Sequence, residues 1–169
     1  MDASRHDELA PTTNVTRIEL RSDREVVVTR WFDAPARVVF EAWSKPELFK
    51  RWWVPKSMGM NLLSCALDVR VGGKYRLEFA VPGSAEPFAF FGTYKDVILN
   101  SRIVWTNEES PDGAISTVTL EEKGGKTLLV FHEIYPTKEA LDEAGIGAQE
   151  MLGETFGQLD ELLAGLSPR

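Results

Sequence analysis

From Leu62 to Ile134, apolar and polar residues alternate with the period of a β-strand, while two other stretches repeat at helical spacing. The alternating part divides into Leu62–Val71, Lys74–Val81, Phe88–Leu99, Arg102–Asn107, Ile115–Glu122 and Thr127–Ile134. Each joint carries turn residues: Gly72-Gly73, Pro82-Gly83-Ser84, Asn100-Ser101, Pro111-Asp112-Gly113 and Gly124-Gly125. Such short connections predict antiparallel neighbours. Upstream, Glu25–Trp31 is β-branched and predicts another strand, and Asn14–Leu20 predicts a shorter one, with turn chemistry at Ser22-Asp23 between them.

The helical stretches flank this sheet-forming region. A helix is expected to start near Asp33, with Asp33 as its cap and Pro35 in its first turn. Val38, Val39, Ala42 and Trp43 then share one inward face. Ser44-Lys45-Pro46-Glu47 has the form of a capping box and predicts a second short helix to Arg51. After Pro136, Lys138–Glu143 predicts a short helix capped by Thr137, Gly145 and Gly147 break it, and Ala148–Leu163 predicts a long helix. The row Leu152, Phe156, Leu159, Leu163, Leu166 forms its inward stripe, flanked by Met151, Thr155 and Leu162, while Glu150, Glu154 and Glu161 face away. Gly153 and Gly157 fall on the outward side, where each costs about 1 kcal/mol of helix stability relative to alanine.

A length of 169 residues fits one domain. Residues 1–13 read as a flexible tail and 14–169 as the domain. The formal charge of −7 argues against a sequence-independent nucleic-acid binder, which needs a basic footprint. The small basic cluster Lys45, Lys50, Arg51 and Lys56 reads as a solvated helix face. A single cysteine, Cys65, rules out an internal disulfide; among Leu62, Leu63, Ala66 and Leu67 it reads as a small hydrophobe rather than a nucleophile. The polar stretch Met1–Thr13 has no apolar signal-peptide region, and no run approaches the roughly 18 apolar residues of a membrane span, so a cytoplasmic location without membrane insertion is expected.

Several motifs occur in a fixed order: Phe32-Asp-Ala-Pro35, Val39-Phe-Glu-Ala-Trp43, Arg51-Trp-Trp-Val-Pro55, Asp68-Val-Arg-Val-Gly-Gly73, Phe91-Gly-Thr-Tyr94, Arg102-Ile-Val-Trp105 and the stretch Val118–Phe131. With the order of elements, this set resembles the superfamily of START lipid-transfer domains, polyketide cyclases and birch-pollen allergens (SRPBCC). Within it, the chain resembles bacterial relatives of the C-terminal domain of the activator of heat-shock protein 90 ATPase, over about residues 25–166. Val54 departs from that pattern, where glycine is common. The resemblance implies an α+β helix-grip fold: a curved antiparallel sheet wrapped around the long C-terminal helix, with an apolar cavity between them.

Alternation then assigns side chains to that cavity. Tyr75, Leu77 and Phe79 share the inward face of one strand. Phe90 and Tyr94, Ile103 and Trp105, and Leu129, Phe131 and Glu133 share those of three others, and Met151, Thr155 and Leu159 look back from the helix. Trp52 and Trp53 are adjacent and cannot both point inward from a helix. One is expected to plug the open end over the aromatic set and the other to cover the helix–strand joint against Pro55, partly exposed. The expected ligand site is therefore Trp52, Tyr75, Leu77, Phe79, Phe90, Tyr94, Trp105, Phe131, Glu133, Met151, Thr155 and Leu159.

Glu133 is the candidate acid–base residue, since a carboxylate among aromatics has a raised pKa; the plainer reading places it at the exposed strand end or beside an arginine. His132 alternates outward with no second histidine to complete a metal site. Asp68 and Arg70 read as a structural ion pair, and Gly72-Gly73 as a hairpin turn rather than a phosphate loop. No cofactor or metal is expected. The leading function is binding of a hydrophobic small molecule or lipid. The resemblance implies two alternatives, a polyketide cyclase- or dehydratase-like enzyme and a partner of a chaperone ATPase; a homodimer is the remaining partner class.

Overall fold

The computed structural model describes residues 15–144 and 151–166. The tail at 1–13 and the helix break at Gly145 and Gly147 therefore lie outside the described residues. In chain order the elements are β1 (Arg17–Leu20), β2 (Glu25–Phe32), α1 (Ala36–Ser44), α2 (Pro46–Phe49), a 3-10 turn (Lys56–Met58), β3 (Asn61–Leu67), β4 (Lys74–Ala80), β5 (Phe88–Ile98), β6 (Arg102–Thr106), β7 (Ile115–Lys123), β8 (Lys126–Ile134), α3 (Lys138–Ala144) and α4 (Leu152–Leu166).

The strands form one eight-stranded antiparallel sheet in the order β1-β2-β8-β7-β6-β5-β4-β3. From β3 to β8 every neighbour is a sequential hairpin partner. The exception is β2 against β8, registered from Glu25 opposite Ile134 to Phe32 opposite Thr127. This pairing spans about a hundred residues and brings the start of the chain back to its last strand. A bulge between Tyr94 and Asp96 takes Lys95 out of register and lets β5 turn across the sheet. Gly92 sits just before it; a Cβ there would lie 1.9 Å from the Thr106 carbonyl oxygen, so only glycine permits this approach.

The inner face is apolar by alternation. Val26, Val28 and Phe32 of β2, Leu129 and Phe131 of β8, and Val118 and Leu120 of β7 are buried, and Leu152, Phe156, Leu159 and Leu163 of α4 join them in one core. The Phe156 ring meets Phe32 edge-on at 5.6 Å. This is the helix-grip arrangement expected from the resemblance: an antiparallel sheet holding a long C-terminal helix.

Several local expectations are corrected. Asp33 does not cap α1; the N-cap is Pro35, which has no side chain able to accept a hydrogen bond. The Ala36 N–H instead donates to the Glu122 carboxylate at 2.9 Å, and Asp33 faces Lys126 at the surface. The capping box does not form, because Ser44 is still the last residue of α1 and its hydroxyl donates back to the Phe40 carbonyl. Helix α2 ends at Phe49 rather than Arg51, so Trp52 and Trp53 occupy the turn beyond it. Strand β3 stops at Leu67, and Asp68 and Arg70 form their ion pair in the following turn. There a Cβ on Gly73 would lie 1.9 Å from the Asp68 carbonyl oxygen. Thr137 does cap α3, accepting from the Ala140 N–H at 3.0 Å.

Nothing lies within 4 Å of where a Cβ would be on Gly153 or Gly157. Gly157→Ala is therefore expected to stabilise the protein by about 1 kcal/mol, read as a higher midpoint in urea unfolding. A lower midpoint would show that this side of α4 is not open.

Candidate functional site

The inner face is not filled throughout. Near the first turn of α4 the sheet and the helices diverge around a cavity of about 560 Å³. Its wall takes Tyr75 and Leu77 from β4, Phe90 and Tyr94 from β5, Trp105 from β6, and Phe131 and Glu133 from β8, seven of the residues assigned from alternation. Five others do not line it: Trp52, Phe79, Met151, Thr155 and Leu159. Trp52, Phe79, Thr155 and Leu159 are at most 2% exposed and belong to solid core. Alternation finds the face on which a side chain lies but not how closely the helix approaches it there.

Trp52 and Trp53 point different ways, but the expected partly exposed cover of the helix–strand joint is corrected: the ring that turns from the cavity is solid core. Trp52 is fully buried, packed on Trp43, Phe49 and Phe156, and its Nε1–H donates to the Ala42 carbonyl at 2.9 Å. Trp53 is half-buried, stacks on Phe49 at 4.9 Å, and lines the cavity with Trp43. The turn that carries them is clamped to α4 by Gln158. Its amide nitrogen donates to the Trp52 and Val54 carbonyls at 2.9 and 2.8 Å, and its oxygen accepts from the Lys56 N–H. Glu154 accepts from the Ser57 N–H and hydroxyl, which hold its carboxyl below the usual range. These two residues lie on the polar side of α4, so apolar periodicity could not find them.

The loop between β6 and β7 supplies Asn107, Glu109, Ser110, Asp112, Gly113 and Ala114, and α3 supplies Ala140, Glu143 and Ala144 across the opening. The sequence marks a turn in that loop at Pro111-Asp112-Gly113, but no periodic pattern assigns its side chains to the cavity. Tyr135 was recoverable, lying two places beyond Glu133 on the same alternation.

A line of polar contacts crosses this end of the cavity. The Tyr75 hydroxyl lies 2.8 Å from the Thr106 carbonyl oxygen and 3.2 Å from Asn107 Oδ1. Asn107 Nδ2 donates to the Ala114 carbonyl and to Ser116 Oγ. Ser116, fully buried, donates to Glu133 Oε2 at 2.9 Å. The Tyr135 hydroxyl donates to Glu133 Oε1 at 3.3 Å. Glu133 is thus a half-buried wall residue oriented by two hydroxyls, which differs from an exposed strand end. Burial, followed by the negative charge of Glu109, pushes the Tyr75 hydroxyl well above its ordinary range, so Tyr75 acts as a donor and not as a base. His132 points away and meets Glu25 at 2.9 Å.

Burial also pushes the Cys65 thiol up to about 11, from an ordinary 9.0. A shift of two units leaves about a hundredfold less thiolate at neutral pH. Alkylation by iodoacetamide is expected to be slow at pH 7 and to climb until the pH reaches the thiol's own value. A plateau near pH 9 would contradict this burial.

The family model described as Activator of Hsp90 ATPase homolog 1-like protein matches residues 33–164. No protein with a curated description matches the chain. A solved structure from Rhodobacter sphaeroides is similar at 24% identity and a TM-score of 0.80, covering 90% of this chain and 100% of that one. Protein Ms6760 from Mycobacterium smegmatis is similar at 21% identity and a TM-score of 0.75, covering 90% and 99%. The AHSA1-like protein from Aeromonas hydrophila is similar at 20% identity and a TM-score of 0.66, covering 85% and 96%. At these identities the structural likenesses establish the fold.

Proposed function

The chain belongs to the Activator of Hsp90 ATPase homolog 1-like family, and from that premise and its cavity we propose that it binds a hydrophobic small molecule or lipid. The observation that carries the reading is the cavity itself: about 560 Å³, within the range of small-molecule sites, walled by aromatic side chains with a few convergent polar groups. Close packing closes most protein interiors to voids larger than a water. Here Trp43, Trp53, Trp105 and Phe131 line open space instead of filling it.

The neutral dye Nile red is expected to bind saturably at one site, with its emission shifted to the blue, and native mass spectrometry of the purified protein should show one hydrophobic ligand per chain. Absence of saturable binding across neutral dyes and lipids would overturn the reading. Acid–base catalysis is the second reading, and Glu133 on the cavity wall favours it. Were the captured molecule turned over, Glu133→Gln should abolish turnover and still permit capture; full turnover in that variant would dismiss the acid–base role.

A further inference from the structure

The charge of the cavity wall narrows the ligand class. Among the described lining residues there are four carboxylates, Glu109, Asp112, Glu133 and Glu143, and no lysine, arginine or histidine. Three of them, Glu109, Asp112 and Glu143, stand exposed at the opening, on the β6–β7 loop and on α3 facing it. Glu133 lies further in, its carboxylate held by Ser116 and Tyr135. Behind it the wall is aromatic: Phe131 two places along β8, then Trp105 and Trp43, with Trp105 to Phe131 at 6.0 Å and Trp43 to Trp105 at 5.9 Å.

Such a site discriminates by charge. An acidic amphiphile would bring its anion against a wall of carboxylates in a partly desolvated space, where like charges repel strongly. A cation meets the reverse: carboxylates at the opening draw it in, and aromatic faces bind it. A second observation concerns the inner end. Trp43 is 4% exposed, and its indole N–H has no acceptor among the described residues. An occupant carrying an acceptor atom at that depth would satisfy it.

Resting on the ligand-binding reading above, we infer that the ligand is a hydrophobic amine: a largely apolar body against Trp43, Trp105 and Phe131 that offers the Trp43 N–H one acceptor atom, and a protonated or quaternary nitrogen at Glu133 and the carboxylates of the opening. The Tyr75 hydroxyl is raised first by burial and then by the negative field of nearby carboxylates, Glu109 and Glu133 among them.

Three probes of one chain length separate this inference from the reading beneath it. Decyltrimethylammonium, decanol and decanoate, each far below its micellar concentration, are titrated into the whole protein and followed by calorimetry and tryptophan fluorescence. Decyltrimethylammonium should bind at least about tenfold tighter than decanol, and decanoate weaker than both. The preference should shrink as salt is raised, and fall several-fold in Glu109→Gln/Glu143→Gln, whose sites are exposed and leave the core intact. Decanol or decanoate binding as tightly as the cation, or a preference untouched by the double substitution, would overturn the amine assignment and leave an apolar-ligand protein standing. Failure of all three probes to bind would overturn both.

Discussion

Trp52→Ala is expected to cost about 3–5 kcal/mol of stability, the range for emptying a large aromatic site in a packed core. The ring is fully buried among Trp43, Phe49 and Phe156. Its N–H also satisfies the Ala42 carbonyl near the end of α1. Removing it leaves a void and a buried acceptor without its donor. Trp53→Ala should cost roughly half as much, because one side of its ring faces the cavity and less area leaves water on folding. Its main effect should fall on ligand binding, about a tenfold change in affinity or in the rate of capture. Urea unfolding and Nile red titration of the two variants measure both quantities separately. Equal losses of stability with unaltered binding would remove Trp53 from the ligand-contacting wall.

The second large effect concerns a pair far apart in sequence. Arg30 points inward from β2, 5% exposed, and its guanidinium pairs with Asp160 of α4. It also donates to Thr16 at 2.6 Å and lies over the Phe32 ring. Burial outweighs the arginine and holds the Asp160 carboxyl above its ordinary range, the mark of a carboxylate that is costly to desolvate. Asp160→Leu leaves Arg30 without its counter-charge and should destabilise by about 3–5 kcal/mol. The double substitution Arg30→Met/Asp160→Leu should recover most of that loss, since apolar side chains of similar size need no pairing. A double-mutant cycle by urea unfolding measures the coupling. A double variant as unstable as the single one would show that the pair carries its site rather than burdening it.

These two cases divide along the line between what is local and what is not. Strand period is a local property, so the inward rows Tyr75-Leu77, Ile103-Trp105 and Leu129-Phe131-Glu133 were legible from spacing alone. So was the stripe on α4, and so was the separation of Trp52 from Trp53. The motif set from Phe32 to Phe131 carried the family and, with it, the helix-grip arrangement. The sequence by itself therefore determined which faces are apolar and which fold they build.

What only the tertiary structure decided depends on distance between elements. The pairing of β2 with β8, the Arg30–Asp160 contact and the clamp from Gln158 to the Trp52–Lys56 turn join residues about a hundred or more positions apart, and no local pattern encodes them. The cavity is of the same kind. By period Phe79 is an inward strand position like Phe131 and Trp105, and Thr155 and Leu159 are inward helix positions like Leu152; what separates solid core from cavity wall is how closely α4 lies against the sheet at each point. The charge of the cavity is decided there too, where the loop at 107–114 and α3 both come to line it and bring Glu109, Asp112 and Glu143 to one site. Period is set by the backbone geometry of one element, whereas open space and its charge are set by the relative placement of several, and the chain reaches that placement only when it is folded.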